Sequence, residues 1–159
     1  MTNATRIDWK VPLILLVASA IPLAAGIARL VGLAANPEIS TENARFVAAP
    51  LSVIVHILSA SLFSILGAFQ FSSGLRQRSP GWHRVSGRIV VASGIFAALT
   101  GLWMTVMYPI PPELQGGLLY AVRVFVSVAM LLSIFLAVTE VKGGDIATHR
   151  AWMIRAFAL

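Results

Sequence analysis

Long apolar runs alternate with short polar gaps along this chain. Residues 11–35, 51–71, 89–108 and 118–139 are each twenty residues or longer and almost free of charge. At a rise of about 1.5 Å per residue, each is long enough to cross a hydrocarbon core about 30 Å thick. The pattern predicts four membrane-spanning helices. Pro12, Pro22 and Arg29 interrupt the first run, and Ala18-Ser19-Ala20 within it has the small-residue form of a signal-peptidase site. The run continues well past that point, so an uncleaved helix is expected. Residues 36–50 are polar and read as a loop. Pro109-Ile110-Pro111-Pro112 stops the third run, because proline breaks the helical hydrogen-bond ladder.

A fifth helix is expected from Ile146, but residues 146–159 reach only about 21 Å, too short to span. Either that segment lies in the membrane interface or the chain is part of a longer protein; the second reading is the one adopted. The expected fold class is all-α, a polytopic transmembrane helical bundle. It comprises one domain over residues 1–159, with four complete spans plus the start of a fifth.

Composition agrees with a bilayer as solvent. The chain is 58% hydrophobic and 11% charged, with a mean hydropathy of +0.86, whereas a soluble domain carries about a quarter charged residues. The net charge of +6 would suggest nucleic acid in a soluble protein, but here the basic residues crowd at helix ends and no nucleic-acid role is expected. Arg6, Lys10, Arg76, Arg78, Arg84, Arg88, Lys142, Arg150 and Arg155 all fall on one side of the predicted bundle; Arg29 and Arg45 fall on the other. The positive-inside rule makes the first side, with the N-terminus, cytoplasmic. The expected location is the bacterial inner membrane, multi-pass, with anionic lipid headgroups as partners.

The absence of cysteine excludes disulfides, thiolate metal sites and a cysteine nucleophile. The six carboxylates avoid the apolar runs, and no phosphate loop, paired acids or nucleophile elbow is present. Candidate chemistry rests on three histidines and their arginine neighbours.

Two of the histidines occur in matching helix entrances. Ser79 before Pro80 and Asp145 before Ile146 are both acceptable caps, and each is followed at the fourth and fifth positions by a His-Arg pair, His83-Arg84 and His149-Arg150. Arg88 and Arg155 follow, with Trp82 and Trp152 nearby. A helix N-terminus disfavours imidazolium, and neutral imidazole ligates iron. His83 and His149 are therefore candidate axial ligands of haem b, with Arg84, Arg88 and Arg150 as partners for anionic propionates. The alternative is that tryptophan, histidine and arginine here form an ordinary interfacial belt.

His56 lies about five residues inside the second run, sharing a helix face with Ser52, Ser59, Gly67 and Gln70. Arg123 lies at similar depth in the fourth. Ionisable groups within spans usually face a bundle interior or a wet cavity, so an outer pocket is expected, with Met104, Met107 and Tyr108 contributing, suited to a quinone headgroup, a haem edge or a small anion. Otherwise Arg123 snorkels to the interface and His56 bonds a neighbouring carbonyl. Gly87, Gly94 and Gly101 recur every seven residues with Tyr108 continuing the stripe, the pattern of a close helix–helix contact or of an approach by a flat cofactor.

The run Gln70-Phe71, Leu75-Arg76-Gln77-Arg78 and His83-Arg84-Val85-Ser86-Gly87-Arg88, followed by Thr148-His149-Arg150-Ala151-Trp152-Met153-Ile154-Arg155, resembles the bacterial membrane-protein family filed as domain of unknown function 2306, from about His56 to the end. The resemblance implies a multi-helix inner-membrane bundle and little chemistry; members typically continue through further helices after the last of these segments. Three functional classes follow: an electron-transfer protein binding haem b or a quinone, a non-enzymatic scaffold or lipid-binding subunit with a possible membrane-protein partner, and a small-solute transporter or channel. The first is the most concrete. Whether the chain is an enzyme is left open.

Overall fold

The computed structural model describes residues 9–35, 37–111 and 116–159; Arg6 and Pro112, used above, lie outside them. The described residues form seven helices and no strand: α1 (Lys10–Ala34), α2 (Ala44–Ala48), α3 (Pro50–Gln70), α4 (Ser73–Arg78), α5 (Pro80–Met107), α6 (Gly117–Gly143) and α7 (Ile146–Ala158). Four of them, α1, α3, α5 and α6, are long and apolar enough to cross a membrane. Inside a bilayer only such internally hydrogen-bonded segments are tolerated, and the protein is an all-α membrane bundle.

The long helices run up and down. Trp9 meets Phe69 edge-on at 6.1 Å and Gly26 lies under Ile57, so α1 and α3 are antiparallel. Gln70 bonds Ser86 at one end of the α3–α5 pair and Tyr108 bonds Ala49 at the other. Gly94 faces Ile134, and Gly101 faces Ser127, which sets α6 antiparallel to α5. One end of the bundle thus gathers Lys10, Arg76, Arg78, Arg84, Arg88, Lys142 and Arg150; it is called the basic end below, and the other the far end.

The core is small, with one residue from each of four helices: Phe63 (α3), Val90 (α5), Ile134 (α6) and Ala156 (α7). Two core residues approach closely at Gly94, where an added Cβ would stand 2.7 Å from Ile134 Cδ1 and 2.8 Å from Phe63 Cε2. Only glycine admits both neighbours, so the glycine stripe packs helices here, as it does at Gly87 beside Gln70. By contrast α1 buries only Pro12 and is a peripheral helix seated on α3.

Two local features differ from the sequence expectation. The 36–50 segment is not all loop: Ser40 and Asn43 exchange side-chain-to-backbone bonds (Ser40 N–H to Asn43 Oδ1, 2.8 Å; Asn43 N–H to Ser40 Oγ, 3.3 Å), a reciprocity of the capping-box kind, and α2 follows. The gap after α3 holds α4, capped by Ser72 Oγ accepting from Leu75 N–H. The apolar run at 89–108 is the later part of α5, which starts at Pro80 as the Ser79-Pro80 pair leads one to expect, because proline in the first turn is pre-set for a helix. Meanwhile α7 packs along α6, with the Phe157 ring stacked on Phe63 at 5.3 Å and filling the space over Gly67.

Gly94→Leu should destabilise the bundle by about 1–3 kcal/mol through overpacking, read as an earlier thermal unfolding transition in detergent. Gly32→Ala, where nothing lies within 4 Å of the added carbon, should leave that transition unchanged or slightly later. Equal behaviour of the two variants would refute the Gly94 contact.

Candidate functional site

The far end holds a cavity of about 410 Å³ between α2, α3, α5 and α6. Helix α3 supplies His56, α6 supplies Arg123 and Ser127, and α5 supplies Gly101, Met104, Thr105 and Tyr108; Arg45 and Phe46 enter from α2. The structure therefore brings His56, Arg123, Met104 and Tyr108 around one space. Met107 is not among the lining residues and is 62% exposed, because it stands one residue round the helix from Tyr108 and so faces outward.

His56 is fixed by α5. Its Nδ1–H donates to Ala97 O at 2.9 Å and approaches Thr100 Oγ1 at 3.2 Å. The Thr100 hydroxyl is itself committed to Phe96 O at 2.6 Å, so its oxygen is left to accept. A carbonyl only accepts, so Nδ1 carries the hydrogen and Nε2 is the ring nitrogen left for other chemistry. Gly101 makes this placement possible: a Cβ there would lie 3.2 Å from His56 Cε1 and 3.7 Å from Ser127 Oγ. The same glycine stripe that packs helices near the core thus opens the wall of the cavity one heptad later.

Tyr108 closes the far end. Its hydroxyl donates to Ala49 O at 2.6 Å, tying the end of α5 to the start of α3, while its ring meets Phe46 at 5.9 Å and Trp103 at 5.7 Å. Phe46 in turn lies under two guanidiniums, Arg29 at 4.3 Å and Arg45 at 4.5 Å, both within cation–π range. Arg45 Nη1 is buried with no hydrogen-bond partner among the described residues. Buried polar atoms of folded proteins are rarely left so.

A second cavity, of about 260 Å³, lies toward the core. It shares His56, Val126 and Ser127 with the first, and its remaining lining is mostly apolar, including Phe63, Met130 and Phe157.

At the basic end, His83 and His149 come from α5 and α7, and each is half-buried. His83 is within electrostatic reach of both Arg76 and His149. The His149 Nδ1–H donates to Ala137 O at 2.8 Å, which leaves Nε2 for other contacts. Arg84, Arg88 and Arg150 are exposed, turned away from the protein, and Arg155 stacks on Trp152 at 4.4 Å. Neither of the two cavities described above is lined by His83 or His149. The two entrances are less alike than their sequences: Asp145 caps α7, accepting from Thr148 N–H at 2.9 Å and from its hydroxyl at 2.7 Å, whereas the Ser79 side chain makes no cap bond. The Thr148 amide and hydroxyl hold the exposed Asp145 carboxyl below the usual carboxylate range. No group of three or more His, Cys, Asp or Glu side chains able to hold a metal occurs among the described residues.

Arg45, Phe46 and Thr105 were not among the residues singled out from the sequence. The signal for the first two was the Ser40–Asn43 turn, which marks a helix start and so places Arg45 and Phe46 on an ordered element. Thr105 carried no signal, since its hydroxyl bonds Gly101 O within its own helix.

Comparison with known proteins adds one finding. The model of the family described as predicted membrane protein, DUF2306, matches residues 53–159, and the chain belongs to that family. No curated protein and no solved structure matches it.

Proposed function

We propose that this member of a family of predicted membrane proteins binds a quinone headgroup in the far-end cavity, as a component of transmembrane electron transfer. The observation that carries the reading is one space bounded by His56 and Arg123 on facing helices. A quinone presents two carbonyl acceptors on a flat apolar ring. The guanidinium of Arg123 offers donors to such an oxygen, His56 Nε2 offers a polar contact, and Phe46, Met104, Val122 and Val126 offer apolar wall. Ligand sites commonly combine a mostly apolar lining with a few placed polar groups.

A second reading concerns the basic end. His149, with Nδ1 anchored on Ala137 O, has the orientation of a ligating imidazole whose other nitrogen is held by the protein. With His83 in electrostatic reach, the pair suits axial ligation of haem b, and Arg84, Arg88 and Arg150 are the cations available to its propionates. The arginine excess at that end favours a cytoplasmic assignment, with the N-terminus inside and the bundle in a bacterial inner membrane.

Because the chain lacks cysteine, single cysteines report topology cleanly. A cysteine in place of Gly116 should react with a membrane-impermeant maleimide in intact cells, and one in place of Gly143 only in inverted vesicles; the reverse pattern overturns the orientation. For the far-end site, a short-chain neutral quinone should quench the fluorescence of Trp103, which packs on Tyr108. His56→Ala and Arg123→Gln should each weaken that binding about tenfold, the loss of one hydrogen bond to a charged or polar group. Quenching that is unchanged in both variants leaves the scaffold reading in possession. Haem binding is tested by the visible spectrum of protein expressed with ample haem: a Soret band that shifts on reduction and disappears in His83→Ala and His149→Ala supports it, and a featureless spectrum removes it.

A further inference from the structure

We propose that the far-end cavity prefers a headgroup bearing anionic oxygen, such as a phosphate, over a neutral quinone, and that Arg45 is the residue that sets the preference; this rests on the reading that the cavity binds a headgroup, with the quinone of that reading as its weaker occupant. Three observations carry it. First, cationic or proton-bearing side chains converge from three elements, Arg45 of α2, His56 of α3 and Arg123 of α6, and no Asp or Glu is among the described residues lining the cavity. Glu38 and Glu42, the acids nearest in sequence to Arg45, are exposed. A neutral carbonyl answers donor geometry but balances no charge, whereas an anionic oxygen does both.

Second, Arg45 is held rather than free to snorkel. Its guanidinium lies over Phe46 together with that of Arg29, and Phe46 is braced edge-on by Tyr108. Arg29 is exposed, and two guanidiniums over one ring repel each other at a cost that a nearby anion offsets. Third, Arg45 Nη1 is buried and unpartnered among the described residues on a side chain that lines the cavity. That is the donor a phosphate oxygen would take.

The division along the chain fits a selectivity role. The family match starts at residue 53, so His56, Tyr108 and Arg123 belong to the matched part. Arg29, Arg45 and Phe46 precede it. The charge preference is then set by Arg45 of α2, laid across a pocket built by the family helices.

The test uses the full chain in zwitterionic nanodiscs and two probes of similar tail length, dodecyl phosphate and a neutral decyl quinone, with binding read by isothermal titration calorimetry. The phosphate probe is expected to bind about tenfold more tightly at low salt, an advantage that shrinks at high salt as screening grows. Arg45→Gln should abolish that advantage while altering quinone binding less than about twofold, and Arg45→Lys should retain only part of it, because the cation remains but the stacked, forked guanidinium does not. Non-specific attraction of anions to the arginines of the basic end would be left in place by Arg45→Gln. Competition by inorganic phosphate would identify free phosphate as the source; binding of the tailed probe alone would identify a lipid headgroup. Equal affinity for the two probes, or a phosphate preference that survives Arg45→Gln, overturns the charge selection and leaves the headgroup site standing. If neither probe binds, the headgroup reading falls as well.

Discussion

The close approach at Gly94 is the contact on which the rest of the bundle depends. In a bilayer there is no hydrophobic drive between helices, since lipid chains are as apolar as leucine; association comes from packing and from buried polar contacts. Helix α5 can hold α3 and α6 at once only because Gly94 admits Phe63 from one and Ile134 from the other. Once that distance is set, Ala156 of α7 completes the core. One heptad further along α5, Gly101 faces His56 and Ser127. The site inherits its geometry from the packing.

Polar groups in this protein are satisfied in ways that join helices or relieve single turns. Gln70 donates to Ser86 Oγ, which donates to Trp82 O, a chain that ties α3 to α5 near the basic end. His56 on Ala97 O and Tyr108 on Ala49 O do the same toward the far end. Thr100 and Thr105 instead return their hydroxyls to their own helix. In a medium without water each such bond avoids an unsatisfied group. Against that background the buried, unpartnered nitrogen of Arg45 stands apart, and it occurs where the cavity is.

The two candidate sites differ in how they are built. At the far end, residues from four elements surround a space, and the histidine is oriented by a neighbouring helix. At the basic end, two histidines are within electrostatic reach of each other, but the arginines that accompany them in sequence are exposed, where they suit lipid headgroups and topology as well as any ligand. The repeated His-Arg pattern is real as sequence, yet its two copies sit in unequal surroundings: one entrance is closed by a side-chain cap and the other is not.

The sequence by itself determined the four spans, the all-α class and the crowding of basic residues at one end. These are local properties, since hydropathy over about twenty residues is enough to commit a segment to the membrane. It also marked His56 and Arg123 as residues at similar depth, with Met104, Met107 and Tyr108 expected beside them, of which Met107 turns outward. Only the tertiary structure decided that the other four share a cavity, that α2 lays Arg45 and Phe46 over it, and that α7 enters the core. The reason is distance along the chain: the bonds that orient the site join residues 41 and 59 positions apart. Which helix faces meet is set by the small residues that let them approach, and a hydropathy pattern does not encode that.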